Sequence, residues 1–323
     1  MRYQSFARAV PLGCGILILS SLAWIGSAYA TTSVNQSQIS AVKVPGYPTY
    51  VALDATSAWS SDMATDTVSR IDVSTGRVVG TVRLKGIPAN LGVAGKHVWI
   101  VLSTMGLVEI DPVTNRVAKF IAIPGIIDES LATTPTRVIV GTSQGNRVLI
   151  FSATSGARQG AVAIGTTPMW IASGASGVYV SSNRGTTIKQ IDPATRKVTR
   201  SIVTGLPGAV ERLTLQGAYL WFTTTSNSPS GGMQLWRLII SSGALRQTPL
   251  PFDTYGIAGN GADLWVVSTG NQIGEVYEAS GAYAGTLNLT GSAWGLVARG
   301  NEFAVGVRWN DQVDLFSCPK VTG

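Results

Sequence analysis

The chain has 323 residues, of which 45% are hydrophobic and 13% charged, and 37 are glycine. This composition excludes a disordered chain, because such chains carry many charges and few apolar residues. Two cysteines exclude a disulfide-stapled scaffold and a cysteine-rich zinc fold, and the single histidine, His97, excludes any mechanism that needs two.

The first thirty residues predict an export signal. A basic start and an apolar run over residues 13–25 precede small residues at Ala28 and Ala30, which fit a signal-peptidase site. We therefore expect residues 1–30 to be a cleaved signal peptide and residues 31–323 to form the mature domain, in the periplasm or outside the cell. A retained membrane anchor is the alternative, although the apolar run is short for a bilayer span.

The predicted mature chain is weakly basic and contains one thiol. Removing residues 1–30, which hold two arginines and no acid, takes the net charge from +7 to +5. The remaining cysteine, Cys318, suits an oxidising compartment in which no internal bridge is used. Lysine and arginine are scattered, so the charge predicts weak attraction to anionic surfaces and no specific nucleic-acid binding. No stable membrane span is expected after cleavage.

A repeat of about forty residues organises the rest of the chain. Its clearest mark is a pair of apolar or aromatic residues, and the second members of successive pairs lie 39 to 44 residues apart. These pairs are Ala58-Trp59, Val98-Trp99, Val138-Ile139, Val178-Tyr179, Leu220-Trp221, Leu264-Trp265 and Phe303-Ala304. Eight residues before each second member lies an aliphatic residue, at Val51, Leu91, Leu131, Ile171, Leu213, Ile257 and Leu296.

A second repeated mark predicts hairpin turns. Residues 71–76 read Ile-Asp-Val-Ser-Thr-Gly, and residues 110–115 and 191–195 repeat this pattern. Aspartate, serine and threonine side chains cap tight turns, and glycine or asparagine accepts a positive φ. The flanking segments alternate or run apolar over four to six residues, as strands do, and none keeps a helical period.

Seven units of four short antiparallel strands predict an all-β fold, a seven-bladed β-propeller. The last unit shows three strands, whereas residues 38–44 form an extra strand at the start of the mature chain. We therefore expect residues 38–44 to complete the last blade and close the ring. The repeated tryptophans are expected to pack between neighbouring blades; these are Trp59, Trp99, Trp221 and Trp265.

Two families of propellers are similar to these units. The repeat that contains Gly256-Ile257-Ala258, Asp263-Leu264-Trp265-Val266 and Asn271-Gln272-Ile273-Gly274 resembles that of the virginiamycin B lyase (streptogramin lyase) family. The units with Ile-Asp-x-x-Thr-Gly resemble the broader YVTN-type propellers. The resemblance covers roughly residues 38–316 and implies a seven-bladed, often exported propeller. Its motifs are structural and do not by themselves imply an activity.

The lyase resemblance also implies a catalytic site that this chain lacks. Members of that family use a histidine as base and a magnesium ion held by glutamates. The corresponding positions here are Tyr255, Asp253 and Ser268, with Glu211 at the histidine position of the preceding repeat. Tyrosine, whose ordinary pKa is about 10, is a poor base at neutral pH. We interpret His97 as a surface turn residue that cannot replace the base, so lyase activity of the family type is not expected.

The candidate binding site is one mouth of the central channel, because loops on a rigid frame commonly carry function. Side chains just before each inner-strand aliphatic vary from unit to unit, and aromatic faces there alternate with a few charges. Such a lining suits a sugar, a peptide or a flat small molecule; a rim of partly buried aromatics without a ligand is the alternative. The candidate ligand-binding residues are Tyr50, Asn90, Glu129, Trp170, Arg184, Glu211, Arg212, Tyr255, Trp294, Arg308 and Trp309.

Two function classes follow from this reading. The first is an exported, monomeric scaffold that binds a small molecule, a glycan or an envelope protein at the mouth. The alternative is a propeller enzyme, either streptogramin lyase-like or a metal-assisted, lactonase-like hydrolase that uses Glu129, Glu211 or Asp253. The sequence assigns no catalytic residue and no cofactor, and a divalent cation is a candidate under the second hypothesis alone. The Gly/Ser/Pro-rich segment 223–234 suggests a flexible lip over the mouth or a loop that contacts a partner; a slack loop without a role is the alternative.

Overall fold

The computed structural model describes residues 37–225, 233–250, 254–259, 263–268, 272–277, 281, 283–300 and 302–317. The predicted signal peptide, Asp253, Cys318 and most of the predicted lip lie outside the described residues. Within the described ranges, no helix has the length and apolar character needed to cross a bilayer.

The described chain is built from strands, and its one helical element is a single 3-10 turn at Arg308–Asn310. The all-β prediction is therefore confirmed. In chain order the strands are β1 (Ser37–Lys43), β2 (Pro48–Leu53), β3 (Ser57–Asp62), β4 (Thr67–Asp72), β5 (Arg77–Arg83), β6 (Pro88–Ala94), β7 (His97–Leu102), β8 (Gly106–Asp111), β9 (Arg116–Ala122), β10 (Ile126–Thr133), β11 (Arg137–Thr142), β12 (Arg147–Ser152), β13 (Arg158–Ala163), β14 (Pro168–Gly174), β15 (Gly177–Ser182), β16 (Thr187–Asp192), β17 (Lys197–Val203), β18 (Val210–Gln216), β19 (Tyr219–Thr225), β20 (Met233–Ile239), β21 (Leu245–Thr248), β22 (Thr254–Gly259), β23 (Asp263–Ser268), β24 (Gln272–Tyr277), β25 (Tyr283–Asn288), β26 (Ala293–Arg299), β27 (Glu302–Val307) and β28 (Gln312–Ser317).

Each repeat of the sequence forms an antiparallel meander, so the fold is a β-propeller. The first four repeats form separate four-stranded sheets, β2 to β5, β6 to β9, β10 to β13 and β14 to β17. We call these units 1 to 4. The first strands of successive units lie side by side, and β26 lies against β2, so the row of inner strands returns to its start.

The expectation of seven separate sheets is wrong, because the described strands form six hydrogen-bonded sheets. The fifth and sixth repeats share one eight-stranded sheet, in which Met233 of β20 pairs with Thr254 of β22. The cause is the short strand β21, which covers β20 only from Leu235 to Leu238. The start of β20 is therefore left open on that side, and β22 occupies it.

The last sheet combines both ends of the described chain. Its order is β1-β28-β27-β26, and β1 runs antiparallel to β28 from Ser37↔Ser317 to Lys43↔Gln312. Beyond the ladder, the Val44 amide donates to the Asp311 carbonyl at 2.9 Å. The edge of β28 is thereby covered by a strand from the other end of the sequence.

The core consists of apolar layers between adjacent sheets. The four repeated tryptophans are fully buried, which confirms their predicted role. Trp99, for example, belongs to unit 2 but packs in one cluster with Leu131, Val138 and Phe151 of unit 3. Each of the four tryptophans packs against the neighbouring repeat, so side-chain packing between repeats holds the propeller together.

The predicted hairpin turns also form. The Asp72 carboxylate accepts hydrogen bonds from the Ser74 hydroxyl at 2.7 Å and the Thr75 amide at 2.8 Å, and Gly76 adopts φ +62°. These bonds lower the pKa of Asp72, and similar bonds lower the pKa of Asp111 and Asp192 in the equivalent turns. The repeated aspartate therefore stabilises the hairpin turn by accepting these hydrogen bonds.

Candidate functional site

A β-bulge places the variable side chains of each inner strand at the channel. The register of every inner strand shifts at the position where the sequence varies, as between Pro48 and Tyr50 in β2 or between Val210 and Leu213 in β18. A bulge adds an unpaired residue and re-aims its neighbours. The inner strands therefore present a different pair of side chains from each unit at the same depth along the channel.

Five of the predicted residues meet in one cavity of about 140 Å³. Each comes from a different inner strand: Tyr50 from β2, Asn90 from β6, Trp170 from β14, Arg212 from β18 and Trp294 from β26. Each of these strands contributes a different side chain. The lining of the cavity is therefore asymmetric, although the strands themselves repeat regularly around the channel.

The most ordered part of this lining is a stack of an arginine on a tryptophan. The Arg212 guanidinium carbon lies 3.8 Å from the centre of the Trp170 ring, within the range of a cation–π contact. The Trp170 indole donates to Glu211 Oε2 at 3.0 Å, and its backbone amide donates to the Ser181 hydroxyl at 3.1 Å. The first bond orients the indole and the second holds the backbone that carries it, and Trp170 and Arg212 together line the cavity with an aromatic ring and a cation.

Glu129 adds a carboxyl group with an altered proton affinity. Burial raises the pKa of Glu129, and the negative charges of Asp128 and Glu211 raise it further, while Arg212 opposes them. The Glu129 carbonyl accepts a hydrogen bond from the Asn90 amide at 2.9 Å. Neither Glu129 nor Glu211 lines the cavity itself, but the Glu211 charge is close enough to raise the pKa of Glu129.

Replacing Glu129 with glutamine is expected to remove a pH-dependent loss of stability. A carboxyl whose folded pKa is raised destabilises the fold as the pH rises from its ordinary value near 4.5 through the higher folded value. The Glu129→Gln variant should therefore melt above the wild type at pH 7 and together with it at pH 4. Melting curves over this range provide the test, and a variant that is less stable at pH 7 would contradict the burial of the charge.

A second aromatic cluster surrounds Arg308 beside the cavity. The guanidinium carbon lies 4.5 Å from the Trp294 ring centre, 5.3 Å from that of Trp309 and 5.5 Å from that of Tyr47. Tyr47 and Trp309 meet edge to face at 5.4 Å, and Trp309 is 64% exposed. Trp294 lines the cavity as well, so the two groups of side chains are continuous.

The sequence reading missed Tyr47, which belongs to this cluster. Its signal was its place directly before Pro48, in the loop that enters the inner strand. Its backbone is fixed by the buried Asp62 carboxylate, which accepts from the Tyr47 amide at 3.0 Å and the Ala64 amide at 2.9 Å. Gly46 beside it adopts φ +67°, and a Cβ there would lie 2.3 Å from Asp62 Oδ1.

The remaining predicted residues lie apart from the cavity or outside the described side chains. Arg184 is exposed in the turn after β15 and does not line the cavity. Tyr255 lies in β22, but its side chain is outside the described part of the chain. In the part that is described, no three His, Cys, Asp or Glu side chains are grouped to hold a metal ion.

His97 lies one position beyond the turn in which it was predicted, and its side chain is 28% exposed. Gly95 and Lys96 make the turn, while His97 is the first residue of β7. Its Nδ1 atom lies 3.1 Å from Oε1 of Glu109, a buried residue of β8. The imidazole thus lies beside a carboxylate of the neighbouring strand and does not line the axial cavity.

Comparison with known proteins supports the fold class. No family model matches the chain, and no curated protein matches it. A chain of Kuenenia stuttgartiensis Hydrazine Synthase has a similar structure, with a TM-score of 0.73 and 13% sequence identity. The match covers 91% of this chain and 99% of the other. At this identity the likeness shows the β-propeller fold alone, and the resemblance to the lyase family stays a prediction.

Proposed function

We propose that this protein is an exported scaffold that binds a ligand at one mouth of its propeller. One observation carries the proposal: five inner strands each contribute one different side chain to the same cavity. A lining of this kind suits an asymmetric ligand, because flat rings give contact area and a few polar groups give orientation. Export rests on the predicted signal peptide at residues 1–30.

The size of the cavity limits how such a ligand is held. A volume of about 140 Å³ accepts a small group of atoms and not a whole sugar or peptide. The bulk of the ligand therefore lies above the cavity, against the exposed ring of Trp309 and the cluster around Arg308. A protruding group of a small molecule, a glycan or an envelope protein would enter between Trp170 and Trp294.

The scaffold proposal includes a ring of seven units closed by β1. In support, the two halves of the shared sheet are each four-stranded meanders, β18 to β21 and β22 to β25, joined by a single residue pair. A single pair is a weak link compared with the ladders inside each half, so we treat the halves as two blades.

The enzyme alternative has less support among the described residues. The two acids that could share a cation, Glu129 and Glu211, do not line the cavity, and the Glu211 carboxylate accepts a hydrogen bond from the Trp170 indole. Under that alternative, adding Mg²⁺ or Ca²⁺ would raise the melting temperature and EDTA would lower it. A melting temperature that is unchanged by Mg²⁺, by Ca²⁺ and by EDTA would exclude a stabilising metal site at the mouth.

The test of the binding proposal uses Arg212→Ala and Trp170→Ala in the chain of residues 31–323. We expect either change to abolish binding on a glycan and envelope-peptide array while the far-UV spectrum is unchanged. Arg184→Ala is the matched control, because Arg184 is an exposed arginine outside the cavity. Unchanged binding by both cavity variants, or equal loss in the control, would refute the cavity as the site.

A further inference from the structure

A separate surface lies on the outside of the propeller, between units 1 and 2. The sheets diverge from the axis, and a crevice of about 580 Å³ opens between the edge of β5 and the face of β7, β8 and β9. Its floor is apolar and includes Leu84, Leu102 and Val108, which are buried, and Val117 and Phe120, which are 44% and 49% exposed. We call this surface the outer crevice.

The charges around the outer crevice all have one sign. Arg83, Lys85 and Arg116 line it, and no acidic side chain does. Among the described residues, the one ion pair within 4 Å joins His97 to Glu109, so these three cations are not neutralised by a carboxylate. Exposed apolar side chains beside unpaired cations mark a surface that favours an apolar and acidic partner.

The backbone of β5 offers a third feature. Within the described residues, β5 pairs with β4 alone, so its other edge carries unpaired amide and carbonyl groups along the crevice. An extended chain can add to such an edge as a further strand, with hydrogen bonds for affinity and alternate side chains for specificity. The inward side chains of that strand would reach the exposed floor residues Val117 and Phe120.

We propose that the outer crevice binds an extended, acidic segment of a partner protein as an added strand on β5. Alternate apolar residues of the segment pack on the floor, and acidic residues between them meet Arg83, Lys85 and Arg116. A planar lipid surface fits less well, because the floor residues Leu84 and Val108 are 5% and 3% exposed and recessed between two sheets.

The test measures binding of a fluorescein-labelled peptide of five Glu-Val repeats by fluorescence polarisation at low salt. We expect saturable binding that weakens as salt rises, and no binding of five Lys-Val repeats. In the variant Arg83→Glu/Lys85→Glu/Arg116→Glu, the affinity should fall by about tenfold or more. Phe120→Ser should weaken binding without a change in charge.

The matched control variant carries the same charge change on exposed residues outside units 1 and 2, as Arg184→Glu/Lys197→Glu/Arg246→Glu. It should bind the acidic peptide nearly as well as the wild type. Hydrogen exchange should show protection of the β5 amides over residues 80–83 when the peptide is bound. The proposal is overturned if the peptide does not bind, or if both triple variants lose affinity equally. Binding to phosphatidylglycerol vesicles but not to the peptide, lost in the crevice variant, would replace it with a lipid site.

Discussion

Replacing Trp99 with alanine should lower the free energy of unfolding by about 3–5 kcal/mol, the cost of emptying a large buried site. The ring is fully buried between units 2 and 3, among Leu131, Val138 and Phe151. Its loss would leave a cavity between two sheets that share no strand pairing. We expect the melting temperature to fall by about 10 °C, measured by calorimetry at pH 7.

The control for this experiment is Trp309→Ala, which removes the same side chain from an exposed position. Trp309 is 64% exposed and contacts Tyr47 and Arg308, so its loss should change stability by less than about 1 kcal/mol. Equal losses in the two variants would mean that the repeated tryptophan does not hold the units together.

Two neighbouring prolines in β1 should weaken the sheet that contains β1 and β28. Successive residues of an edge strand point their amides alternately toward and away from the partner, so Ala41→Pro with Val42→Pro removes a ladder amide whichever residue faces β28. Ala41 pairs with Asp314, and Val42 pairs with Val313. The change should cost about 3 kcal/mol or more, because it also exposes the core beneath Val42.

Ala41→Val is the matched control, since valine favours a strand and the Ala41 side chain is exposed. Thermal melting and limited proteolysis compare the three chains, and the double-proline variant should be cut early near residues 302–317. A double-proline chain with wild-type melting would show that β1 contributes nothing to closure.

Those parts of the fold that depend on nearby residues could be predicted from the sequence. The buried tryptophans were predicted from a fixed offset within each repeat, and the Asp72 turn from a motif of six residues. In both cases the pattern that reveals the feature lies within one repeat, although each tryptophan packs against the neighbouring repeat. The variable positions Tyr50 and Arg212 were also found, because variation on a regular frame is visible without a structure.

Features that depend on distant residues could not be predicted in this way. The shared sheet exists because β21 is too short to cover the start of β20. A periodic sequence pattern shows that a strand is present, but it does not show the length of that strand to within one residue. The cluster of Tyr47 with Arg308 and Trp309 joins the two ends of the described chain. The strand start at His97 differs from the predicted turn by a single position, which local propensity does not resolve.

The pairing of β1 with β28 also has a kinetic consequence. β1 leaves the ribosome first among the described strands, and its partner β28 leaves last. Contacts of such high sequence separation form late, because a long loop must close before they contribute. The sheet that contains both ends should therefore be the final one to assemble, and until then β1 remains an unpaired strand available to a second molecule.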